Sequence, residues 1–293
     1  MAVKVGVIGL GNMGGGMAAT LAGKGFEVLG FDLAASAREA AAARGVQPVA
    51  EQAAVIGAVD VLILSLPKAE HVEAVCQGIL AQGRAGLVVV DTTTSTPDTS
   101  RRMAAALAAQ GIGFIDAPVS GGPKGAASGT MAMVIGAADE HLATALPVLE
   151  AMSGTRVHVG AVGAGNVAKI ANNLLAAAHL ISTAEAVSLA AQAGVAPEKL
   201  LEGINAGSGR SAASQVMFPT WVMNKAYDSG FSMGLMRKDV GLAASLAQSL
   251  DADLPLAREV ARLWQASAET LADGDDFCCI VQRTDAQLFG RGE

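Results

Sequence analysis

Short apolar runs alternate with alanine-rich segments of helical length over roughly the first 160 residues. Several of these runs are apolar at consecutive positions, which is typical of strands buried on both faces of a sheet. The alternation predicts repeated strand–helix–strand units around a parallel sheet. The predicted strands span residues 3–8, 27–31, 46–49, 59–64, 87–90, 114–116, 131–135 and 156–159.

The pattern changes after Gly163, where the strand signals stop and the remaining sequence predicts helices separated by short turns. Residues 166–193 contain neither Gly nor Pro, so they predict one helix of roughly 40 Å at about 1.5 Å per residue. A chain of 293 residues is long enough for two domains. We therefore expect an α/β domain over residues 1–162 and an all-α substrate and dimerisation domain over residues 163–293, joined by the long helix.

A glycine-rich loop follows the first predicted strand and precedes a helical segment over residues 17–24. One glycine of such a loop permits a tight turn, the second lets the backbone approach a pyrophosphate, and the third lets helix and strand pack closely. The pyrophosphate then meets N–H groups at the helix N-terminus. The loop predicts a dinucleotide-binding, Rossmann-type doubly wound sheet, with cofactor-binding residues Gly9, Leu10, Gly11, Asn12, Met13 and Gly14.

The second predicted strand ends in Asp32, about 20 residues beyond the glycine loop, where a carboxylate accepts hydrogen bonds from the adenosine ribose. Asp32 would repel a 2′-phosphate, and Arg38 is more than a helical turn further along the chain. The sequence therefore favours NAD over NADP. The alternative is that Asp32 only caps the helix that begins near Ser36.

Composition limits the function classes. Hydrophobic residues make up 52% of the chain and charged residues 16%, which suits a globular protein whose surface is partly covered in a homodimer or homotetramer. The net charge of −7 gives no sign of the basic surface that binds nucleic acid or an anionic membrane. No basic leader, uninterrupted apolar span, disulfide framework or zinc-ligand pattern is present in the sequence. We expect a cytoplasmic protein without a metal.

Two segments carry candidate chemistry. In residues 116–122, Ser120 precedes two glycines just beyond a predicted strand, so its hydroxyl and nearby backbone N–H groups suit a carboxylate; an ordinary glycine turn is the alternative. In residues 163–173, Asn166, Lys169 and Asn173 lie on nearly one helix face. The asparagines can hold substrate or the lysine without adding charge.

Lys169 is surrounded by apolar neighbours in the sequence. Burial disfavours an ammonium, so this amine is expected to exchange protons near neutrality. The alternative is a solvated helix lysine. A third candidate segment is the charged cluster of Arg237, Lys238 and Asp239, which is either a solvated helix face or a cofactor contact.

These motifs together resemble the β-hydroxyacid dehydrogenase family, which includes 3-hydroxyisobutyrate dehydrogenases and tartronate semialdehyde reductases. Residues 7–14, 116–122, 163–169 and 238–239 match its four signatures in order. The resemblance implies that Lys169 is the catalytic acid/base and that Asn173 positions substrate or lysine. It also implies a carboxylate site at Ser120, Gly121 and Gly122, and further cofactor contacts from Leu66, Pro67, Thr94 and Lys238.

We therefore predict hydride transfer between NAD(H) and a small β-hydroxyacid or its semialdehyde, resembling 3-hydroxyisobutyrate, tartronate semialdehyde or threonate. The alternatives are an NADP-dependent semialdehyde or imine reductase on the same fold, and a non-catalytic nucleotide-sensing module. Lys169 argues against an imine reductase, because the resemblance implies that those enzymes usually replace this lysine. Ser211-Ala212-Ala213 lacks the aromatic residue that follows in typical hydroxyisobutyrate enzymes, so the substrate stays open.

Overall fold

The structure is a computed structural model that describes residues 3–290. Its internal contacts divide the chain into two compact units, the first ending at Lys169 and the second beginning at Ile170. The first unit is a sheet with helices on both faces, and the second is helical. The predicted fold class is confirmed.

One sheet forms the centre of the first unit. Its nine strands among residues 3–290 are β1 (Lys4–Ile8), β2 (Glu27–Phe31), β3 (Gln47–Pro48), β4 (Val61–Leu64), β5 (Val88–Asp91), β6 (Gly113–Asp116), β7 (Val119–Ser120), β8 (Met131–Gly136) and β9 (Ser153–Gly160). They lie in the order β3-β2-β1-β4-β5-β6-β8-β7, with β9 beside β8. The six strands from β3 to β6 in this order are parallel. All eight predicted strands are confirmed, although several ends differ.

Helices connect these strands. They are α1 (Asn12–Gly23), α2 (Ala35–Ala42), α3 (Gln52–Ile56), α4 (Ala69–Gln82), α5 (Pro97–Ala108), α6 (Gly122–Ser128) and α7 (Asp139–Met152). Two apolar cores explain why the central strands are apolar at consecutive positions. Along β4, Val61 and Ile63 belong to one core, whereas Leu62 and Leu64 belong to the other. Each face of the sheet is therefore covered.

The sheet departs from the predicted parallel arrangement at one edge, where β8 runs antiparallel to β6 and β7. Helix α6, which connects β7 to β8, has only seven residues and spans about 10 Å. It is too short to return the chain to the amino end of the sheet, as a parallel crossover requires. Strand β7 was not predicted, because two residues are too few for an alternating pattern.

The long helix predicted over residues 166–193 is confirmed as α8 (Ala164–Gln192), and the boundary between the units falls inside it. The later helices are α9 (Pro197–Ala206), a π-helix (Ala213–Val222), α10 (Met233–Ser249), α11 (Pro255–Ala266), two 3₁₀ helices (Ser267–Glu269 and Phe277–Arg283) and α12 (Ala286–Phe289). The π-helix contains Pro219, which cannot donate to a regular helical ladder. Hydrophobic periodicity did not distinguish this wider coil from an α-helix.

Helix α8 is long and apolar enough, by length and composition alone, to cross a membrane. The sequence analysis expected no such span, because the sequence has no uninterrupted apolar run of about 18 residues. The side chains of Ala177, Leu180, Ala184 and Val187 belong to the core of the second unit, which also contains Trp264. One side of α8 therefore packs in that core, and a single helix of this kind is weak evidence for a membrane span.

Candidate active site

The carboxyl ends of four neighbouring parallel strands are level with one another. In register, Ile8 lies beside Leu64, Leu64 beside Asp91, and Asp91 beside Asp116. Open α/β sheets bind ligands just outside such carboxyl ends. The register therefore brings to one edge the segments 9–14, 65–67, 92–95 and 117–122.

The glycine loop has the geometry that a dinucleotide requires. Gly9 has a φ of +93°, and a Cβ there would lie 2.2 Å from the carbonyl oxygen of Ser65. A Cβ on Gly14 would lie 1.9 Å from the carbonyl oxygen of Gly9, so loop and helix approach too closely for a side chain. Beside Gly11, in contrast, the space is open within 4 Å. Gly9 and Gly14 therefore require glycine for folding, whereas Gly11 leaves room for a pyrophosphate at the start of α1.

Asp32 ties the end of β2 to the glycine loop. Its Oδ2 accepts the Leu10 N–H at 2.7 Å, and its Oδ1 accepts the Ala34 N–H at 2.9 Å, just before α2. The Ala34 bond lies before the helix and α2 itself has no side-chain cap, so the capping alternative is not supported. Each carboxylate oxygen can still accept a second hydrogen bond, as a ribose hydroxyl would require. The sequence analysis was wrong to treat Arg38 as remote, because its guanidinium folds back and donates to the carbonyl oxygens of Asp32 and Leu33.

Hydrogen bonds of Thr93 connect the loops after β4 and β5, which carry the other predicted cofactor residues. Its hydroxyl accepts the Leu66 N–H at 3.1 Å, and its own N–H donates to Oδ1 of Asp91 at 2.9 Å. Leu66 and Thr94 are half-buried, whereas Pro67 is exposed. The structure thus holds these residues at the carboxyl edge of the sheet, and their contact with a cofactor stays a prediction.

Lys169 and Ser120 are the candidate catalytic pair. The Lys169 side chain comes from the second turn of α8, and its Nζ donates to Oγ of Ser120 at 2.9 Å. Lys169 is only 8% exposed, so the alternative of a solvated lysine is wrong. Gly121 and Gly122 have φ values of +124° and +61°, and a Cβ on Gly122 would meet nothing within 4 Å. A buried amine, a hydroxyl and an open glycine turn therefore lie together.

Asp116 and Asn166 form a buried network that the sequence analysis did not assign. Asp116 accepts the N–H groups of Gly163 and Asn166, both at 2.7 Å. Burial raises the pKa of Asp116 to about 6, although these backbone bonds oppose the shift. The suggestion that Asn166 holds substrate or lysine is not supported, because its amide instead bonds the Ser95 N–H and the Ser100 hydroxyl. The position of Asp116 at a strand end was the one available signal.

Asn173 and Lys238 are connected within the second unit through a buried carboxylate. Asn173 follows Lys169 by one turn of α8, and its Nδ2 donates to Oδ2 of Asp239 at 2.6 Å. The Lys238 ammonium lies 3.3 Å from Oδ1 of the same carboxylate. Asp239 thereby orients the Asn173 amide, a role that sequence spacing did not indicate.

Arg237 is enclosed by the second unit. It is buried, and its guanidinium bonds the Ser267 hydroxyl, the Leu271 carbonyl and the Asp273 carboxylate. Since Asp239 is buried as well, the alternative of a solvated charged face is wrong for these two residues. Arg237 stabilises the helical unit.

Comparisons with known proteins cover nearly the whole chain. Residues 4–163 match the family described as the NAD-binding domain of 6-phosphogluconate dehydrogenase. Residues 163–284 match the family described as NAD-binding of NADP-dependent 3-hydroxyisobutyrate dehydrogenase. Both matches indicate a nicotinamide cofactor.

Individual relatives are similar over most of their length. The 2-(hydroxymethyl)glutarate dehydrogenase of Eubacterium barkeri is 35% identical over 96% of this chain and 94% of its own. The NAD-dependent L-serine dehydrogenase of Pseudomonas aeruginosa is 38% identical over 86% and 88%, respectively. The solved 3-hydroxyisobutyrate dehydrogenase of Mycobacterium tuberculosis with L-serine has a TM-score of 0.92 and 35% identity, covering 97% of this chain and 100% of that one.

Proposed function

This chain belongs to the β-hydroxyacid dehydrogenase family, and from that membership we propose that it transfers a hydride between NAD(H) and a small β-hydroxyacid, with Lys169 as the acid/base. The observation that carries the proposal is the buried contact of 2.9 Å between the Lys169 amine and the Ser120 hydroxyl. A nucleotide-sensing module has no need of a buried amine beside a hydroxyl and an open glycine turn.

Lys169 would move the proton. In the oxidative direction the neutral amine accepts the substrate hydroxyl proton while the hydride leaves the same carbon. Bound NAD⁺ supplies the hydride acceptor. In the reductive direction the Lys169 ammonium protonates the developing alkoxide. Proton transfer of this kind contributes typically 10²- to 10⁴-fold.

Ser120 and the glycines would hold the substrate carboxylate. Because Ser120 accepts the bond from Lys169, its O–H is left to donate to a substrate oxygen. The backbone N–H groups near Gly121 and Gly122 supply neutral donors, and the open space beside Gly122 admits the carboxylate. Asn173, oriented by Asp239, would bind the substrate or Lys169 from the next helical turn.

The named relatives support a narrower substrate class. 3-Hydroxyisobutyrate, L-serine and 2-(hydroxymethyl)glutarate all contain a CH₂OH group attached to the carbon that bears a carboxylate. They differ only in the other substituent, R, of that carbon. We therefore propose a substrate of the form HOCH₂–CHR–COO⁻. The part that these compounds share needs one proton acceptor and one carboxylate site, which Lys169 and Ser120 would provide.

NAD is the proposed cofactor, because the Asp32 carboxylate would repel a 2′-phosphate. A homodimer or homotetramer is proposed as well. Leu175 and Leu189 on α8 are 56% and 71% exposed, and burying such leucines against a second copy removes apolar area from water. Sedimentation velocity tests the assembly, and a monomer at micromolar concentration would contradict it.

The test is a panel of HOCH₂–CHR–COO⁻ compounds, tartronate semialdehyde, threonate and cyclic imines, assayed at 340 nm with both cofactors. Lys169→Ala should retain NAD affinity and lose about 10²- to 10⁴-fold in turnover. Lys199→Ala is the matched control, because Lys199 pairs with Glu202 on an exposed face of α9.

Three outcomes would contradict the proposal. Full turnover by Lys169→Ala would remove the acid/base assignment. Imine reduction without hydroxyacid oxidation would favour an imine reductase. NAD binding without turnover of any compound would favour a sensor.

A further inference from the structure

The start of helix α8 is attached to the end of strand β6 by a buried carboxylate. Asp116, which is 0% exposed, is the last residue of β6. Its Oδ1 accepts the Gly163 N–H and its Oδ2 accepts the Asn166 N–H, each at 2.7 Å. These groups belong to the first turn of α8 and the residue just before it. An anion at a helix N-terminus is stabilised by the helix dipole.

A second attachment connects the same turn to the loop after β5. Asn166 is also 0% exposed. Its Oδ1 accepts the Ser95 N–H at 2.9 Å, and its Nδ2 donates to the Ser100 hydroxyl at 3.0 Å. Ser95 directly follows Thr94, a predicted cofactor contact, and Ser100 lies in α5. One amide thus joins the cofactor loop to the helix that carries Lys169.

Close backbone packing further restricts movement of the start of α8 relative to the strand ends. A Cβ on Gly165 would lie 2.5 Å from the Asp116 carbonyl oxygen and 2.8 Å from that of Val134. A Cβ on Gly136 would lie 2.4 Å from Oδ1 of Asp116. The helix start therefore sits against the strand ends at a distance that only glycine allows. Its location relative to the sheet is fixed by contacts on two sides.

We propose that Asp116 and Asn166 are positioning residues that hold Lys169 in reach of Ser120 and of the Thr94 loop. Lys169 follows Asn166 by three residues, so a displacement of the first turn is passed almost directly to the amine. The Nζ–Oγ contact of 2.9 Å has little tolerance, since hydrogen bonds weaken beyond about 3.2 Å. A misplacement of about 1 Å can cost 10²-fold in rate. This inference rests on the proposed role of Lys169.

Three variants test the network by separate routes. Asp116→Asn keeps the shape but presents an NH₂ group to one of two N–H donors, so one bond is lost. Asn166→Leu removes both side-chain bonds at similar volume. Ser100→Ala removes one hydrogen bond of the network. This mildest change keeps the proposal testable if the other two variants do not fold. Asp60→Asn is the matched control, because Asp60 also accepts a backbone N–H, from Lys4, but at the amino end of the strands.

Kinetics on the best substrate of the panel should separate positioning from folding. Asp116→Asn and Asn166→Leu should lower kcat by about 10- to 100-fold, with an unchanged KM for NAD. The primary deuterium isotope effect on kcat should rise, because the chemical step becomes slower than product release. Ser100→Ala should show the same changes in smaller size, and Asp60→Asn none of them. A smaller folded fraction would lower kcat but leave the isotope effect unchanged, and that result would overturn the proposal.

Crystal structures of the variants and amide hydrogen exchange over residues 161–172 provide a readout without turnover. Relative to the exchange of β1, β4 and β5 in the same variant, exchange in this segment should accelerate in Asp116→Asn and Asn166→Leu, and the Nζ–Oγ distance should exceed about 3.5 Å. An unchanged distance and exchange rate would refute the positioning role even if the wild type were inactive. Full activity of Lys169→Ala would contradict the acid/base role and, with it, the effect of positioning on turnover. An unchanged Nζ–Oγ distance in Asp116→Asn and Asn166→Leu would contradict the positioning role alone.

Discussion

Replacing Asp116 by asparagine should change how the stability of the first unit depends on pH. Burial raises the pKa of Asp116 from 3.8 to about 6 in the folded chain. A folded-state pKa above the unfolded value means that the native state binds the proton more tightly. The contribution of this group to stability is therefore present below the unfolded pKa, and it is lost as the pH rises through about 6.

The magnitude follows from the shift. Each pKa unit corresponds to 1.36 kcal/mol, so a shift of about two units changes the free energy of unfolding by about 3 kcal/mol. Relative to Asp116→Asn, the wild type should gain about 2 to 3 kcal/mol on going from pH 7 to pH 4. The folded chain is thus less stable against unfolding when Asp116 is ionised than when it is protonated.

The assay must report on the first unit. Both tryptophans, Trp221 and Trp264, lie in the second unit, so fluorescence would follow the wrong half of the chain. Amide exchange of peptides from β1, β4 and β5, measured at constant ionic strength between pH 4 and 7, provides the free energy of opening.

Asp60→Asn should behave in the opposite direction. The pKa of Asp60 is lowered, first by its hydrogen bond from the Lys4 N–H, so wild-type stability from that group is lost as the pH falls. A difference between wild type and Asp116→Asn that stays constant from pH 4 to pH 7, or that grows with the sign of the Asp60 control, would refute the reasoning.

Three other substitutions have distinct expected outcomes. Ser120→Ala removes one hydrogen bond to a charged group, worth about 1.5 to 3 kcal/mol, so the KM for the hydroxyacid should rise at least 10-fold while NAD affinity, measured by calorimetry, stays the same; an unchanged KM would exclude Ser120 from the carboxylate site. Gly11→Ala should keep the melting temperature, since its Cβ would enter open space, and weaken NAD binding; equal binding would show that the pyrophosphate lies elsewhere. Asp32→Ser should raise kcat/KM with NADPH relative to NADH at least 10-fold, because each 1.4 kcal/mol of removed repulsion is about tenfold, and adding Arg38→Ala should reverse the gain; a gain that survives the second substitution would contradict the contribution of Arg38.

Several parts of the fold could be predicted from local sequence alone. The central strands are apolar at consecutive positions because both faces of the sheet are covered, as the division of β4 between two cores demonstrates. Helix α8 was predictable because residues 166–192 lack any residue that ends a helix. The antiparallel β8 and the π-helix around Pro219 were not predictable, since direction and coil width depend on the length of connections and on neighbours elsewhere in the chain.

The candidate site divides in the same way. Local sequence was enough to predict the glycine loop, the lysine at position 169 and the Ser120 turn, because spacing within a motif is a local property of the chain. The groups that those residues contact depend on how distant segments fold together. Asp116 bonds Asn166 across 50 residues and Asn166 bonds Ser95 across 71, and such partners are selected by strand register and by close backbone packing, neither of which is encoded at one place in the sequence.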